Sequence, residues 1–461
     1  MRNTMRETGW AIWCGVAILS LPLQAAELDE AVIKLLEADE GMTRSEPTAP
    51  QAKSRAPATS SRDTTPGTSL TLAEAERMAQ DNDPVSKSLR EKAGALVEQS
   101  AAAERLADPK IKFGISEYPT RTPGSGGEDP IKMLLGVQQT IMPSARREHE
   151  SAQLHLMGQG QSARAAQQKL LALRETRKAW LDIYLQHHTL VVLRQTRKIL
   201  AQLVEISQNQ YRSGGGNQSD VLQAQIELSL LKDQASQVET AREIAFAELT
   251  RWAGPGVANR TLAMDSLELP VVPELARIEQ GLDRLPLLQG MKLDADAAKE
   301  GVEVARARAT PEWMWEVETM WSYSKDGKFG TDSLAAFVTL DVPFARKNLQ
   351  DRWLAGSEKD YNSTLFLVAD QRRDLKRMLD LEVVNTMRLD ERIAFYREAI
   401  LPQAAQNAQA ALRAYQARVA DFSQLMRARQ KELESKLAAL RLLVERAMVQ
   451  VNLLYLSGDG V

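Results

Sequence analysis

The heptapeptide IMPSARR, residues 141–147, closes a stretch of alternating apolar residues and opens a long helix-prone run. DVPFARK, residues 341–347, does the same in the second half of the chain. A strand-to-helix corner written twice points to a duplicated unit, and a repeat constrains a fold more than any local propensity does. Other landmarks recur in the same order. Pro84 is answered by Pro286, Ala107 and Pro109 by Ala309 and Pro311, and the corner proline Pro143 by Pro343. Tyr211 in YRSGGGNQSDVLQAQ is answered by Tyr415 in YQARVADFSQLMRAR, and Gly254 by Gly458. The repeats are expected over 70–254 and 273–458, joined by a linker over 255–272.

Each unit reads as helix, strand, strand, long helix, helix. First helices are expected over 72–106 and 286–309, and long helices over 145–212 and 345–418. At a rise of 1.5 Å per residue a long helix of this size approaches about 100 Å, too long for a compact globular domain. In the last helix Phe422, Leu425, Met426, Leu433, Leu437, Leu440 and Val444 follow three- and four-residue spacing, the pattern of an apolar stripe. Pro402 is expected to bend or break the second long helix, because proline removes a backbone donor there. Its counterpart Lys198 is not. Charged residues at 26% and aromatics at 5% suit long solvated helices, and a formal net charge of −3 gives no electrostatic footprint for nucleic acid.

The N-terminus has the layout of a secretory signal: Arg2 and Arg6, an apolar run over 10–23, then Ala25 and Ala26. That run is short for a membrane-spanning helix, so a signal peptide over 1–25 is expected. Cys14 is the only cysteine and follows Ile12 and Trp13, not the small residues that precede an acylated cysteine. A mature chain without thiols offers neither disulfides nor thiolate metal sites. Residues 26–69 include a tract rich in Pro, Ser, Thr and Ala with few large apolar residues, which reads as a flexible leader.

Four segments alternate with period two. Ile111, Phe113 and Ile115 share one face, as do Ile131, Met133, Leu135 and Val137. Trp313, Trp315, Val317, Trp321 and Tyr323 share another, with Glu312, Glu316, Glu318 and Ser322 opposite; Leu334, Ala336, Val338, Leu340 and Val342 complete the set. Segments of about ten residues are what a tilted strand needs to cross a bilayer. Apolar-out, polar-in alternation with aromatic girdles is the pattern of outer-membrane barrels, although a half-buried soluble sheet alternates too. Four strands do not close a barrel, and open sheet edges are not tolerated in lipid. The chain is therefore expected to share a barrel with copies of itself. Two copies give eight strands and a filled interior; three give twelve and a lumen, which favours a homotrimer.

From about residue 70 to 458 the chain resembles the TolC-type outer-membrane efflux proteins. The resemblance rests on the duplicated plan, the corners MPSARR and VPFARK, the tip YRSGGGNQSDVLQAQIEL, the opening LTLAEAERMAQDNDP and the closing LLYLSG. It implies a mainly α chain with a small β part. As a trimer this chain would form a twelve-stranded transmembrane β-barrel continued by a periplasmic α-helical barrel. It further implies docking to a periplasmic adaptor and an inner-membrane RND-type pump, within the outer membrane lipid. The opening LTLAEAERMA is similar to the CzcC branch, which serves heavy-metal efflux. The second tip lacks the glycine that usually follows the tyrosine.

Asn217 with Asp220, and Asp421 with Gln424, occupy equivalent tip positions. They suit helix capping, in which the residue three later reaches back. They also suit a ring of acids at a tunnel entrance that favours cations. Gly214, Gly215 and Gly216 suit a left-handed helix end. Trp313, Trp315, Trp321 and Tyr323 are the candidate lipid-facing aromatics. Glu312, Glu316 and Glu318 are candidate lumen acids or a solvated polar face. Arg146, Arg147, Arg346 and Lys347 follow the corner prolines, where cations aid solubility or meet phosphate at the inner leaflet. His149, His155, His187 and His188 show no spacing of a closed metal site. With no nucleophile–base constellation, P-loop or dinucleotide fingerprint, no enzyme and no cofactor are expected. The leading reading is the passive duct of a tripartite efflux system, with heavy-metal cations as one cargo and drugs, organics or proteins as alternatives. The rival from another class is a periplasmic adaptor or coiled-coil scaffold.

Overall fold

The computed structural model describes residues 69–117, 131–258, 260–264, 267–323, 330 and 333–459. The expected signal peptide over 1–25, Cys14, and the leader up to Thr68 lie outside the described residues. The chain is mainly helical with one small antiparallel sheet.

The first repeat opens with α1 (Leu72–Asn82) and α2 (Pro84–Ala103), followed by β1 (Lys110–Glu117) and β2 (Ile131–Ile141). It ends with α3 (Ser144–Arg212) and α4 (Gln218–Ala253). The second runs α5 (Leu275–Gly281), α6 (Pro286–Ala307), β3 (Trp313–Tyr323) and β4 (Ser333–Leu340). It closes with α7 (Gln350–Phe395), a π turn Tyr396–Ile400, α8 (Leu401–Gln416) and α9 (Phe422–Ser457). The single helix expected over 72–106 is in fact two. Asp83 adopts extended backbone, its carboxylate accepts from the Ser86 N–H at 2.8 Å, and Pro84 starts the next helix. Proline at the first helical position and an aspartate cap before it form a standard start signal. A short helix, α5, precedes α6 as α1 precedes α2.

Helix α3 is continuous over 69 residues, on the order of 100 Å. Its counterpart also runs unbroken to the tip, so Pro402 does not end it. Pro402 has no N–H for the carbonyl of Glu398, and the helix widens by one residue into the π turn directly before it. The start of that helix departs from expectation. After Pro143, α3 begins at once at Ser144, whereas after Pro343 the chain makes a γ-type bond from the Phe344 N–H to the Val342 carbonyl (2.9 Å) and a 3₁₀ turn over Arg346–Asn348. Helix α7 begins only at Gln350, not near Ala345.

Close approach of the long helices depends on two glycines of α3. A Cβ on Gly158 would lie 3.2 Å from the Ala93 carbonyl of α2, and one on Gly160 would lie 3.0 Å from Asp294 of α6. Spaced two apart, they serve two neighbours on different sides of one helix. Trp180, Leu181 and Tyr184, midway along α3, are buried in the main core with Leu249, Leu288 and Val451. Arg177, only 4% exposed, binds Glu76 of α1 at 2.7 Å and Asp459 beyond α9 at 3.1 Å, which ties the two ends of the described chain together. Removing one partner from a pair this buried is costly. The inter-repeat segment is packed: the N–H of Leu70 donates to Thr261, and Leu267 and Leu269 are buried. A second core joins the far ends of α3, α4, α8 and α9 through Leu200, Leu203, Ala224, Tyr415, Phe422 and Leu425.

Candidate functional site: an apolar sheet and two helical tips

The four strands lie in chain order, each antiparallel to the next, with β1 and β4 as open edges. Register places Ile111 opposite Val137, Val137 opposite Val317, and Val317 opposite Ala336. Because side chains alternate across the pleat, these residues share one face. Phe113, Leu135, Trp313, Leu334, Val338 and Leu340 fall on the same face, and Phe113 is 85% exposed. Apart from Gln139 and Thr319 this surface is apolar, and much of it is exposed among the described residues. The aromatic residues follow the same register: Trp313 opposite Ile141, Trp315 opposite Gln139, Trp321 opposite Met133, and Tyr323 opposite Ile131.

The other face is mixed and largely polar. Glu316 stands opposite Gln138 and Glu318 opposite Gly136. Glu316 is 8% exposed and ion-pairs with Lys112 of β1 across the intervening strand. Glu312 precedes β3 and ion-pairs with Arg146 at the start of α3, which also binds Glu150 at 3.2 Å. Two of the three expected lumen acids are therefore matched by cations of the same chain. Lys112 is the residue the sequence reading missed; it is 204 positions from its partner, and only the pairing of β2 with β3 brings them together. At the corners, Arg147 donates to the Glu104 carbonyl at 2.5 Å, and Arg346 binds Asp351 at 3.2 Å.

At the opposite end of the helices, the two hairpin tips share one backbone design. In the first tip the Gly214 N–H donates to Tyr211 (3.0 Å) and the Gly215 N–H to Gln210 (2.9 Å). In the second, Arg418 donates to Tyr415 (3.0 Å) and Val419 to Ala414 (2.9 Å). Both are Schellman closures, in which one residue takes the left-handed conformation. Gly214 does so at φ 73° and Arg418 at φ 58°. The turn thus forms in the second tip without a glycine, at a cost of about 1 kcal/mol for an L-residue in that region. Comparing Arg418 with Gly214 in the repeat locates this strained position, which was not singled out from sequence. The Arg418 guanidinium lies beside Gly215, where a Cβ would sit 3.1 Å from it.

The caps differ. The Asp421 carboxylate accepts from the Gln424 N–H at 2.7 Å. The Asn217 side chain makes no cap bond; instead the Asp220 N–H donates to the Asn217 carbonyl at 3.2 Å. The side-chain capping expected at both tips therefore holds only at Asp421. Tyr211 is exposed, while Tyr415 is buried, stacks edge-on against Phe422 at 5.6 Å and donates its hydroxyl to Gln210 at 2.7 Å. Burial, and then the nearby charge of Asp220, push the Tyr415 hydroxyl above its ordinary pKa. Ser423 donates to Gln223 at 3.2 Å, a second tie between the tips.

The histidines are occupied locally: His149 with Glu300 at 2.7 Å, His155 with Gln159 at 3.0 Å, and His188 with the Met264 carbonyl at 3.2 Å and the Tyr184 ring. Among the described residues no group of three or more His, Cys, Asp or Glu is placed to hold a metal ion, and no helix is long and apolar enough to cross a membrane.

Residues 92–255 match the model of the outer membrane efflux protein family. No curated protein is similar to the chain in sequence. Among solved structures, the outer membrane protein VceC from Vibrio cholerae is 15% identical with a TM-score of 0.70, over 84% of this chain and 96% of that one. CusC is 13% identical with a TM-score of 0.71, over 84% and 92%. The Campylobacter jejuni CmeC outer membrane channel is 12% identical with a TM-score of 0.70, over 90% and 94%. At such identities the likeness is one of fold: a mainly helical chain with one small antiparallel sheet. The family match spans α2 to α4, and the shared fold extends over most of the chain.

Proposed function

We propose that the chain is the outer-membrane duct of a tripartite efflux system and works as a homotrimer. The observation that carries this reading is the four-stranded sheet, with one largely apolar exposed face and two open edges, at one end of helices about 100 Å long. An exposed apolar face of this extent needs a non-aqueous neighbour. Open edges need strand partners in lipid. An even number of strands makes β1 and β4 run in opposite directions, so β4 of one copy pairs antiparallel with β1 of the next. Three copies close twelve strands around a lumen.

The helices support the same assembly. Leu222, Ile226 and Leu230 form an exposed apolar stripe on α4, and Phe366, Leu381 and Val384 are exposed along α7. Neighbouring copies cover such stripes in a helical barrel. A periplasmic adaptor and an inner-membrane pump of the RND type engage the tip end. Transport through the duct is passive. Asp220 and Asp421 of three copies set a negative potential at the entrance, which favours cations, heavy-metal ions included, without a coordinating site. Planar-bilayer recording of the purified full chain tests the duct: single-channel steps are expected, with cation preference reduced in Asp421→Ala. Recovery from the soluble periplasm without detergent, and no conductance, would contradict it.

A further inference from the structure

We propose that the turn after β4, residues 342–353, is an interfacial anchor that seats the chain in the phospholipid headgroup layer at the helical end of the sheet. This rests on the barrel reading above. The two corners of the duplicated unit treat their side chains in opposite ways. At the first, Ile141 and Met142 are half-buried, and Arg146 and Arg147 are committed to Glu312, Glu150 and the Glu104 carbonyl. The corner is folded inward. At the second, the extra residues before α7 face outward. Phe344 is 92% exposed, the most of any large apolar residue described, and Leu349 and Trp353 are more than half exposed.

Two observations identify the occupant as lipid. The patch is continuous with the apolar face of the sheet, since Leu340 and Val342 of the same outward series lead directly into Phe344. Its charges are positive: Lys347 and Arg352 are exposed and make no ion pair among the described residues, and the Arg308 guanidinium lies 5.2 Å over the Trp353 ring. Arg346 is partly neutralised by Asp351. Aromatic rings sit at the level of the headgroups, where one side is apolar and the other wet, and cations beside them meet phosphate. A neighbouring protein copy would cover the apolar groups but gives no use to the unpaired cations.

The test uses the full chain with Cys14→Ser and Phe344→Cys, spin-labelled and reconstituted in phosphatidylethanolamine–phosphatidylglycerol vesicles. Reference labels are placed at Val338, within β4, and at Ser213, on a tip. Collision with oxygen against collision with a nickel chelate reports depth. The anchor predicts an oxygen-to-nickel ratio at 344 between the deep value at 338 and the aqueous value at 213. A label at Leu349 should give the same result. An aqueous ratio at 344 with a deep one at 338 overturns the anchor and leaves the barrel standing. Shielding of 344 from both reagents also overturns it, by assigning the patch to a neighbouring copy. An aqueous ratio at 338 overturns the barrel and the anchor together.

Discussion

The two tips have the same backbone and different side chains. Gly214 and Arg418 sit at equivalent positions with φ of 73° and 58°, and both close a Schellman turn. The first tip is a glycine loop without a side-chain cap; the second has an aspartate cap, a buried tyrosine and a strained arginine. Hydrogen-bond geometry is the same at both tips, while the residue chosen at each point is free to serve another end. The corners show the same freedom. One is tied inward by arginine; the other projects a phenylalanine.

Substitutions at equivalent positions should therefore give unequal, and in one case opposite, effects. The largest is Gly214→Val, which puts a β-branched residue in the left-handed region and should destabilise the tip by about 2 kcal/mol. Hydrogen exchange at Gly214 and Gly215 would read it, and unchanged protection would show that the turn tolerates any residue. Asp421→Ala should lose about 1 kcal/mol of helix stability, and Asn217→Ala only a few tenths, because only the first removes a cap bond. Equal losses would erase the contrast between the caps. Arg418→Gly should stabilise its tip by up to about 1 kcal/mol, the reverse of the change at Gly214. A loss would mean that the guanidinium beside Gly215 outweighs the backbone strain.

The smallest effect is one of pH. The Tyr415 hydroxyl has its pKa raised in the folded tip, so its contribution is complete below the ordinary tyrosine value and fades as pH rises through the folded one. Exchange protection of the tips should fall above about pH 10, the ordinary tyrosine value. Tyr415→Phe should remove that dependence.

Much of this was legible in sequence because it is written in period and repeat. The four strands follow from strict alternation, and the long helices from paired landmarks. Other features depend on local geometry or on tertiary packing. The break at Asp83 is written in the sequence as an aspartate cap followed by Pro84, and the span expected over 72–106 runs through it. The late start of α7 was masked by the matching corner heptapeptides, although the spacing between repeats grows by four residues from Pro143/Pro343 to Tyr211/Tyr415. Pro402 signalled a disturbance but not its form, since a π turn and a break remove the same donor. The Lys112–Glu316 and Tyr415–Gln210 pairs join residues about 200 apart, and only tertiary packing aligns them.

If the sheet is one third of a barrel, native mass spectrometry of the full chain extracted from outer membranes in mild detergent should give three copies of the processed chain, each at or below 51.2 kDa. A monomer, or a dimer with eight strands, would contradict it.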